Sequence, residues 1–393
     1  MSNRTDLPIR PSYDVVVVGA RAAGASTAML LARRGLSVLA VDRTAYGSDT
    51  LSTHSLAPAG VLQLSRWGVL DAIRKGGTPV ASRVVFHYGD DLVEIDVPAR
   101  GDVDGLYSPR RTLLDRTLVD AAVDAGADVR HGVSMVGLLH DAGRVAGVQL
   151  EVDGELRCIA ARAVIGADGV RSRVAEHVGA QTTHQEAATS AVIYSHWEGL
   201  PDDVIVNHYG SGKVAGSIPT NDGAAVVWVG MHPDEFRASA RGNVAEAQAA
   251  RIAELPRFVA ELEGARCIGG YRAWPGQPGF VRQGWGAGWA LVGDAGYFKD
   301  PVSAHGITDA LIGAELVADA VADSFAGADE AEAFGRFERE RDAMAARMMP
   351  PVARIASLPD EMGVVMSSFV EMTKALHAEW NLIESNFGAV AAV

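Results

Sequence analysis

The stretch VVVVGARAAG, Val15–Gly24, decides how the rest of the chain is read. Tyr13–Val18 is β-branched and almost uniformly apolar, the composition of a strand buried on both faces of a parallel sheet. From Ala20 to Arg34 small residues come first and Met29, Leu30 and Leu31 later; Gly35 then stops a helix before a second apolar run, Ser37–Val41. Strand, helix and strand within about thirty residues make a βαβ unit. In the dinucleotide fingerprint the first glycine makes the turn, the second admits the pyrophosphate and the third lets helix and strand pack closely. Gly19 and Gly24 supply the first and third. Arg21 stands at the second, where its guanidinium can lie along a phosphate. Asp42 lies eighteen positions after Gly24, at the end of the second strand, where an acidic residue holds ribose hydroxyls. These residues alone do not separate NAD from FAD, which share an adenosine diphosphate half.

Composition limits the partners. With 393 residues, 48% of them hydrophobic, the chain can bury a large core and divide into two domains. A net charge of −14, with no basic run to offset it, opposes attraction to nucleic acid or to an anionic membrane. A small-molecule substrate is expected. Two cysteines, Cys158 and Cys267, give neither a disulfide framework nor a metal pair, which points to a reducing, cytoplasmic setting and to no metal. The polar start MSNRTDLPIRPS carries no apolar leader, and the run Val15–Val18 is too short to span a bilayer.

Two later segments narrow the cofactor. Trp289–Val321 holds a short strand, the Gly293-Asp294 turn, a loop with Pro301 and a helix from about Gly306 whose Ile307, Leu311, Leu316 and Val317 form one stripe. An aspartate at a strand end accepts hydrogen bonds from a polyol, and a nearby helix N-terminus suits a ring that becomes anionic on reduction. That is a flavin's requirement more than a nicotinamide's. Ala163–Ala180 is again a strand, ending at Asp168-Gly169 and opening a helix expected to carry Arg171 and Arg173.

Taken in order, these three segments resemble the FAD-dependent monooxygenases of the para-hydroxybenzoate hydroxylase-like superfamily, a group shared with geranylgeranyl reductases and flavin-dependent halogenases. The resemblance implies an α/β fold: a Rossmann-like FAD-binding domain, an interleaved antiparallel β-sheet substrate domain and C-terminal helices. The expected division is residues 1–75 with 100–180 and 270–330 for FAD, 76–99 with 181–269 for substrate, and 331–393 as a helical segment. It further implies that Gly19, Arg21, Ala23 and Gly24 surround the pyrophosphate and that Asp42 and Arg43 lie at the adenosine ribose. Arg111 would reach the phosphate and ribityl region, a Val133 amide would meet adenine, and Asp168 would serve FAD and NAD(P)H. Gly293 and Asp294 would hold the ribityl chain, with Pro301, Gly306 and Ile307 beside the ring. Ser303 departs from the family's loop pattern, standing where its first glycine belongs.

Between about Ser190 and Met231 come closely spaced short strands broken at Gly210-Ser211-Gly212 and Asn221-Asp222-Gly223, both hairpin turns. With Arg83–Tyr88 and Leu92–Val97 they are expected to form one antiparallel sheet roofing a pocket, with Tyr194, His196 and Trp228 as candidate walls. Asn243–Glu263 reads as helix interrupted near Pro256, and the helical segment beyond Asp329 is expected to break at Met349-Pro350-Pro351.

The resemblance implies NADH or NADPH as a transient reductant and O2 as co-substrate. The leading expectation is a monooxygenase that hydroxylates or epoxidises an electron-rich aromatic or polyketide-like molecule through a flavin C4a-hydroperoxide. The alternative is a reductase of unsaturated carbon skeletons. Halogenation is a minor option, since Ile218-Pro219 lacks the tryptophans of the halogenase WxWxIP stretch. His54 is the first candidate for a catalytic base, as imidazole titrates near neutrality, and His305 the second. The sequence leaves the substrate and the oligomeric state open.

Overall fold

The computed structural model describes residues 8–387 apart from Arg241, so the first seven residues of the polar start lie outside it. The strand Ser12–Val18 sits at the centre of a parallel core, with Val38–Asp42 on one side and Glu155–Gly166 on the other. Asp128–His131 and Trp289–Leu291 continue that parallel order outward. Val15, Val16 and Val17 are wholly buried, because helices cover one face of the sheet and an antiparallel ladder covers the other. That is why no polar residue alternates along this strand.

The helix Ala22–Arg33 follows at once and packs with Gly306–Phe325 in the same core. Its small first turn is required by contact. A Cβ on Gly24 would stand 1.8 Å from the Gly19 carbonyl oxygen, and one on Gly19, itself at φ +100°, would stand 2.3 Å from that of Ala167.

The second sheet has seven strands in the order 266–274, 191–198, 224–231, 213–219, 204–210, 83–88, 91–96. Its expected antiparallel order holds except at one pair: Val204–Gly210 and Arg83–Tyr88 run parallel, joined residue by residue from Val204↔Arg83 to Tyr209↔Tyr88. Arg83–Tyr88 arrives from the first domain, not through a hairpin, so no tight turn imposes an antiparallel sense on it.

One face of this sheet carries Tyr88, Tyr209, Ile218 and Trp228, packed against Met348, Val352, Ile355 and Met372 of the C-terminal helices. Trp228 is therefore core, and only the end near Val192, Tyr194, Ala273 and Trp274 reaches a cavity. The opposite face buries Ile193, Ala215, Val227 and Phe258.

The break expected at Met349-Pro350-Pro351 does not occur: one helix runs Glu330–Ala356 with both prolines inside it. Proline's fixed φ is itself helical, and burial of Met348, Met349, Val352 and Ile355 offsets the lost backbone hydrogen bonds. The turn after Gly166 also differs in detail. Ser172 caps the helix Arg173–Val178, so Arg171 precedes it. Among the described residues no helix is long and apolar enough to cross a membrane.

Candidate active site

A cavity of about 820 Å³ runs between the two sheets, and the three sequence segments meet on it. Gly19, Arg21, Ala23, Asp42, Arg43, Arg111, Val133, Asp168, Asp294, Pro301, Gly306 and Ile307 all line it, as do His54 and His305. Gly24 and Gly293 act behind the wall. Gly24 lets the first helix approach the Gly19 turn, and Gly293, at φ +61°, would bring a Cβ within 2.9 Å of Ala23 Cβ.

At one end Asp42 terminates its strand. Its Oδ2 accepts from the Ala20 amide at 2.9 Å, and its Oδ1 accepts from the Thr44 amide at 2.8 Å and the Thr44 hydroxyl at 2.6 Å. Burial raises the carboxyl, but these donors outweigh it and hold the group below the usual aspartate range, as an anion. A buried carboxylate with lone pairs to spare suits a pair of ribose hydroxyls. Val133 does not offer the amide expected for adenine: its N–H already donates to the Asp42 carbonyl at 3.0 Å.

In the middle, Arg21 and Arg111 converge on one acid that the sequence reading did not single out. Arg21 reaches Asp115 at 2.9 Å and the Ser48 hydroxyl at 3.1 Å, while Arg111 binds both oxygens of Asp115, at 2.9 and 3.0 Å. The signal was present as the i,i+4 spacing of Arg111 and Asp115 on one helix. Two guanidiniums held at the mouth of the first βαβ turn, next to the N-terminus of Ala22–Arg33, form an anion cradle. Asp168 is engaged otherwise. It accepts from the Ser172 hydroxyl at 2.5 Å and the amides of Arg173 and Val174, so it ties the second motif's turn to its helix.

The far end is walled by Val192, Tyr194, Ala273, Trp274, Pro275 and Phe298. Asp294 faces it, its carboxyl raised by burial to about 6 against the pull of Lys299 and Arg111. The N-terminus of Gly306–Phe325 opens beside it with unpaired first-turn N–H groups. Asp300, also missed in sequence, fixes this loop to the second sheet. It accepts from the Val302 amide at 2.9 Å and from Ser190 at 2.7 and 2.8 Å.

The two candidate histidines differ sharply. His305 is held at one nitrogen: Nδ1 bonds Asp309 Oδ1 at 3.1 Å, while Nε2 lies 2.9 Å from Glu379 Oε2 without the geometry of a hydrogen bond. His54 is free. It is buried at φ +69°, and neither ring nitrogen has a hydrogen-bond partner among the described residues. Burial, aided by His196, Arg111 and Arg110, lowers it to about 3, so its ring is neutral.

A buried carboxylate, a pair of arginines, an aspartate and a helix terminus lie along one cavity. The residues fit FAD.

Comparison with known proteins agrees. Residues 12–351 match the family model described as FAD binding domain. A menaquinone reductase of Mycolicibacterium smegmatis is 28% identical over 406 aligned positions, covering 94% of this chain and 92% of the relative. A digeranylgeranylglycerophospholipid reductase of Methanocella arvoryzae is 26% identical, covering 84% and 83%. Among solved structures, a flavin-dependent brominase superposes with a TM-score of 0.81 at 17% identity, covering 94% of this chain and 93% of that one, which shows the shared fold. The chain belongs to the FAD-binding-domain family and is an FAD-dependent oxidoreductase of the superfamily its three motifs resemble.

Proposed function

We propose that this oxidoreductase reduces carbon–carbon double bonds in a long, apolar, unsaturated substrate. The observation that carries the reading is the far end of the cavity: a wall of Val192, Tyr194, Ala273, Trp274, Pro275 and Phe298 beside the neutral imidazole of His54. Hydroxylation of a phenol calls for a base that titrates near the working pH. His54, lowered to about 3, is not that base, and an alkene chain, which has no proton to remove, needs none. The names of the two reductase relatives, which span most of this chain, support the same class.

Bound FAD supplies the two-electron couple, and NADH or NADPH is the reductant we assign to it. The chain's own residues do the rest. Arg21 and Arg111 neutralise the pyrophosphate, and Asp42 orients the adenosine ribose. Asp294 accepts from the ribityl chain, and the first-turn amides of Gly306–Phe325 face the charge that reduction adds. The Tyr194 hydroxyl accepts from the Ser52 amide at 3.1 Å, which pins the segment carrying His54 against the wall. The apolar wall excludes water and lays an extended hydrocarbon alongside the cofactor.

Oxygen insertion is the rival reading, and one experiment separates the two. The FAD-loaded protein is reduced under argon and mixed with menaquinone or digeranylgeranylglycerophospholipid, and the lipid is weighed by mass spectrometry. Gain of two hydrogen atoms without O2, retained after air has returned any quinol to quinone, supports the reductase. A product formed only after O2 is admitted, and heavier by an oxygen atom, overturns it.

A further inference from the structure

Reducing a double bond also consumes a proton, and His54 cannot supply it, because a neutral imidazole is a very weak acid. Another ionisable group lines the same end of the cavity. Lys299 is 5% exposed, and its Nζ forms a buried ion pair with Asp309 Oδ2. Asp309 Oδ1 in turn lies 3.1 Å from His305 Nδ1, and His305 Nε2 lies 2.9 Å from Glu379 Oε2.

The four side chains come from three places: the loop after Asp294, the first turn of Gly306–Phe325, and the helix Met362–Phe387. Asp309, His305 and Glu379 are all buried. Apolar side chains of the same volume would make an equally or more stable core. The cluster lies against the cavity, in the loop that faces the cofactor, and it joins the C-terminal helix to that loop.

The geometry points to Lys299 as the catalytic acid of this cavity, with Asp309, His305 and Glu379 as positioning residues that hold its ammonium in place. The inference rests on the reductase reading. One alkene carbon accepts the hydride equivalent that reduced FAD supplies. As a C–H bond forms at the other carbon, an Nζ–H bond of Lys299 breaks and its electron pair stays on nitrogen. The resulting amine recovers a proton from water after product leaves. Asp309 touches the ammonium, while Asp294, Glu379, His305 and Tyr297 face it from the surrounding elements. Burial lowers Lys299 to about 7, opposed by Glu379 and Asp294, which suits proton transfer near neutrality.

The test compares wild type with Lys299→Arg, Lys299→Met and Glu379→Gln, each confirmed to carry FAD by its visible spectrum. Arginine keeps the charge but does not release a proton, so it separates the two roles. Anaerobic photoreduction at pH 8, read with an indicator dye, needs no substrate. Burial lowers Lys299 to about 7, so at pH 8 it is largely unprotonated and gains a proton when reduction adds negative charge nearby; wild type should take up as much as one more proton per flavin than Lys299→Arg or Lys299→Met. Glu379→Gln should shift the pH at which this uptake begins, where a merely structural glutamate would leave it unmoved. Saturation of a menaquinone side-chain double bond in a single turnover should fall by roughly a hundredfold or more in both lysine variants. Unchanged proton uptake in Lys299→Arg overturns the assignment, even if wild type reduces menaquinone. Lysine-dependent uptake without lipid reduction upholds Lys299 as the proton-carrying group and sinks the reductase reading instead.

Discussion

His54 and His196 lie with ring centroids 5.9 Å apart and planes 27° from parallel, brought together from a loop of the first domain and a strand of the second. Both ends are held by unusual backbone. His54 has φ +69°, and opposite His196 the pairing of strands 191–198 and 266–274 shifts register around Gly269 and Gly270. A β-bulge re-aims side chains beside it, and here it makes room for the imidazole. A Cβ on Gly270 would lie 2.6 Å from His196 Nδ1, whereas one on Gly269 would meet nothing.

That contrast yields a paired prediction. Gly269→Ala carries only the strain of its φ of +95°, and should cost about 1 kcal/mol in stability. Gly270→Ala carries comparable strain at φ +71° and must also displace His196, so it should cost about 1 kcal/mol more and alter the spectrum of bound FAD. Denaturant melts and absorption spectra of the two proteins check this. Equal behaviour would mean that His196 is not seated by the bulge.

The strained backbone at His54 gives a trade of stability against activity. Glycine accepts φ +69° without a Cβ penalty, so His54→Gly should unfold later than His54→Ala, by about 1 kcal/mol. Both remove a ring from the cavity wall, so turnover should fall through looser substrate positioning and not through a lost proton donor. If His54→Gly keeps wild-type turnover, the strain at this position serves only the path of the chain.

The same residue sets a pH window. In the folded chain His54 titrates at about 3, below the ordinary 6.5, so the unfolded state binds its proton first as pH falls. Its contribution to stability is therefore complete above 6.5 and declines toward 3, at up to about 1.4 kcal/mol per pH unit. His54→Gln should flatten the stability profile in that window. A wild-type profile already flat there would show that His54 is protonated without penalty.

What could be read from the sequence was what depends on neighbours along the chain. Gly19, Gly24 and Asp42 belong to one βαβ unit, and the clash of a Gly24 Cβ with the Gly19 carbonyl is a local consequence of that turn. Hairpins at Gly210–Gly212 and Asn221–Gly223 are likewise local. The parallel pairing of Arg83–Tyr88 with Val204–Gly210 depends on where a distant segment returns, which no turn residue encodes. The uninterrupted helix through Pro350 and Pro351 depends on the core it packs against. The difference between the two histidines has the same origin. His305 is bonded by Asp309 one turn along its own helix and faces Glu379 from far along the chain, whereas neither ring nitrogen of His54 meets a partner among the described residues.

Asp115 carries the sharpest test of how the cofactor is gripped, because its sign is not obvious. It is an anion within 3.0 Å of both Arg21 and Arg111, where the cofactor's own anionic pyrophosphate is assigned. If Asp115 only competed for the arginines, Asp115→Asn would tighten FAD binding. If it fixes two long side chains that would otherwise lose rotamer entropy on binding, the same change weakens it. Arg111 is held by bonds to both carboxylate oxygens, and such forked pairing orients as well as attracts. We therefore expect Asp115→Asn to weaken FAD about tenfold, roughly 1.4 kcal/mol, and Arg111→Met, which removes a charged donor outright, to weaken it further. Fluorescence titration of the FAD-stripped proteins measures both. Tighter binding in Asp115→Asn would make the aspartate a competitor and leave Arg21 and Arg111 to orient themselves on the phosphates.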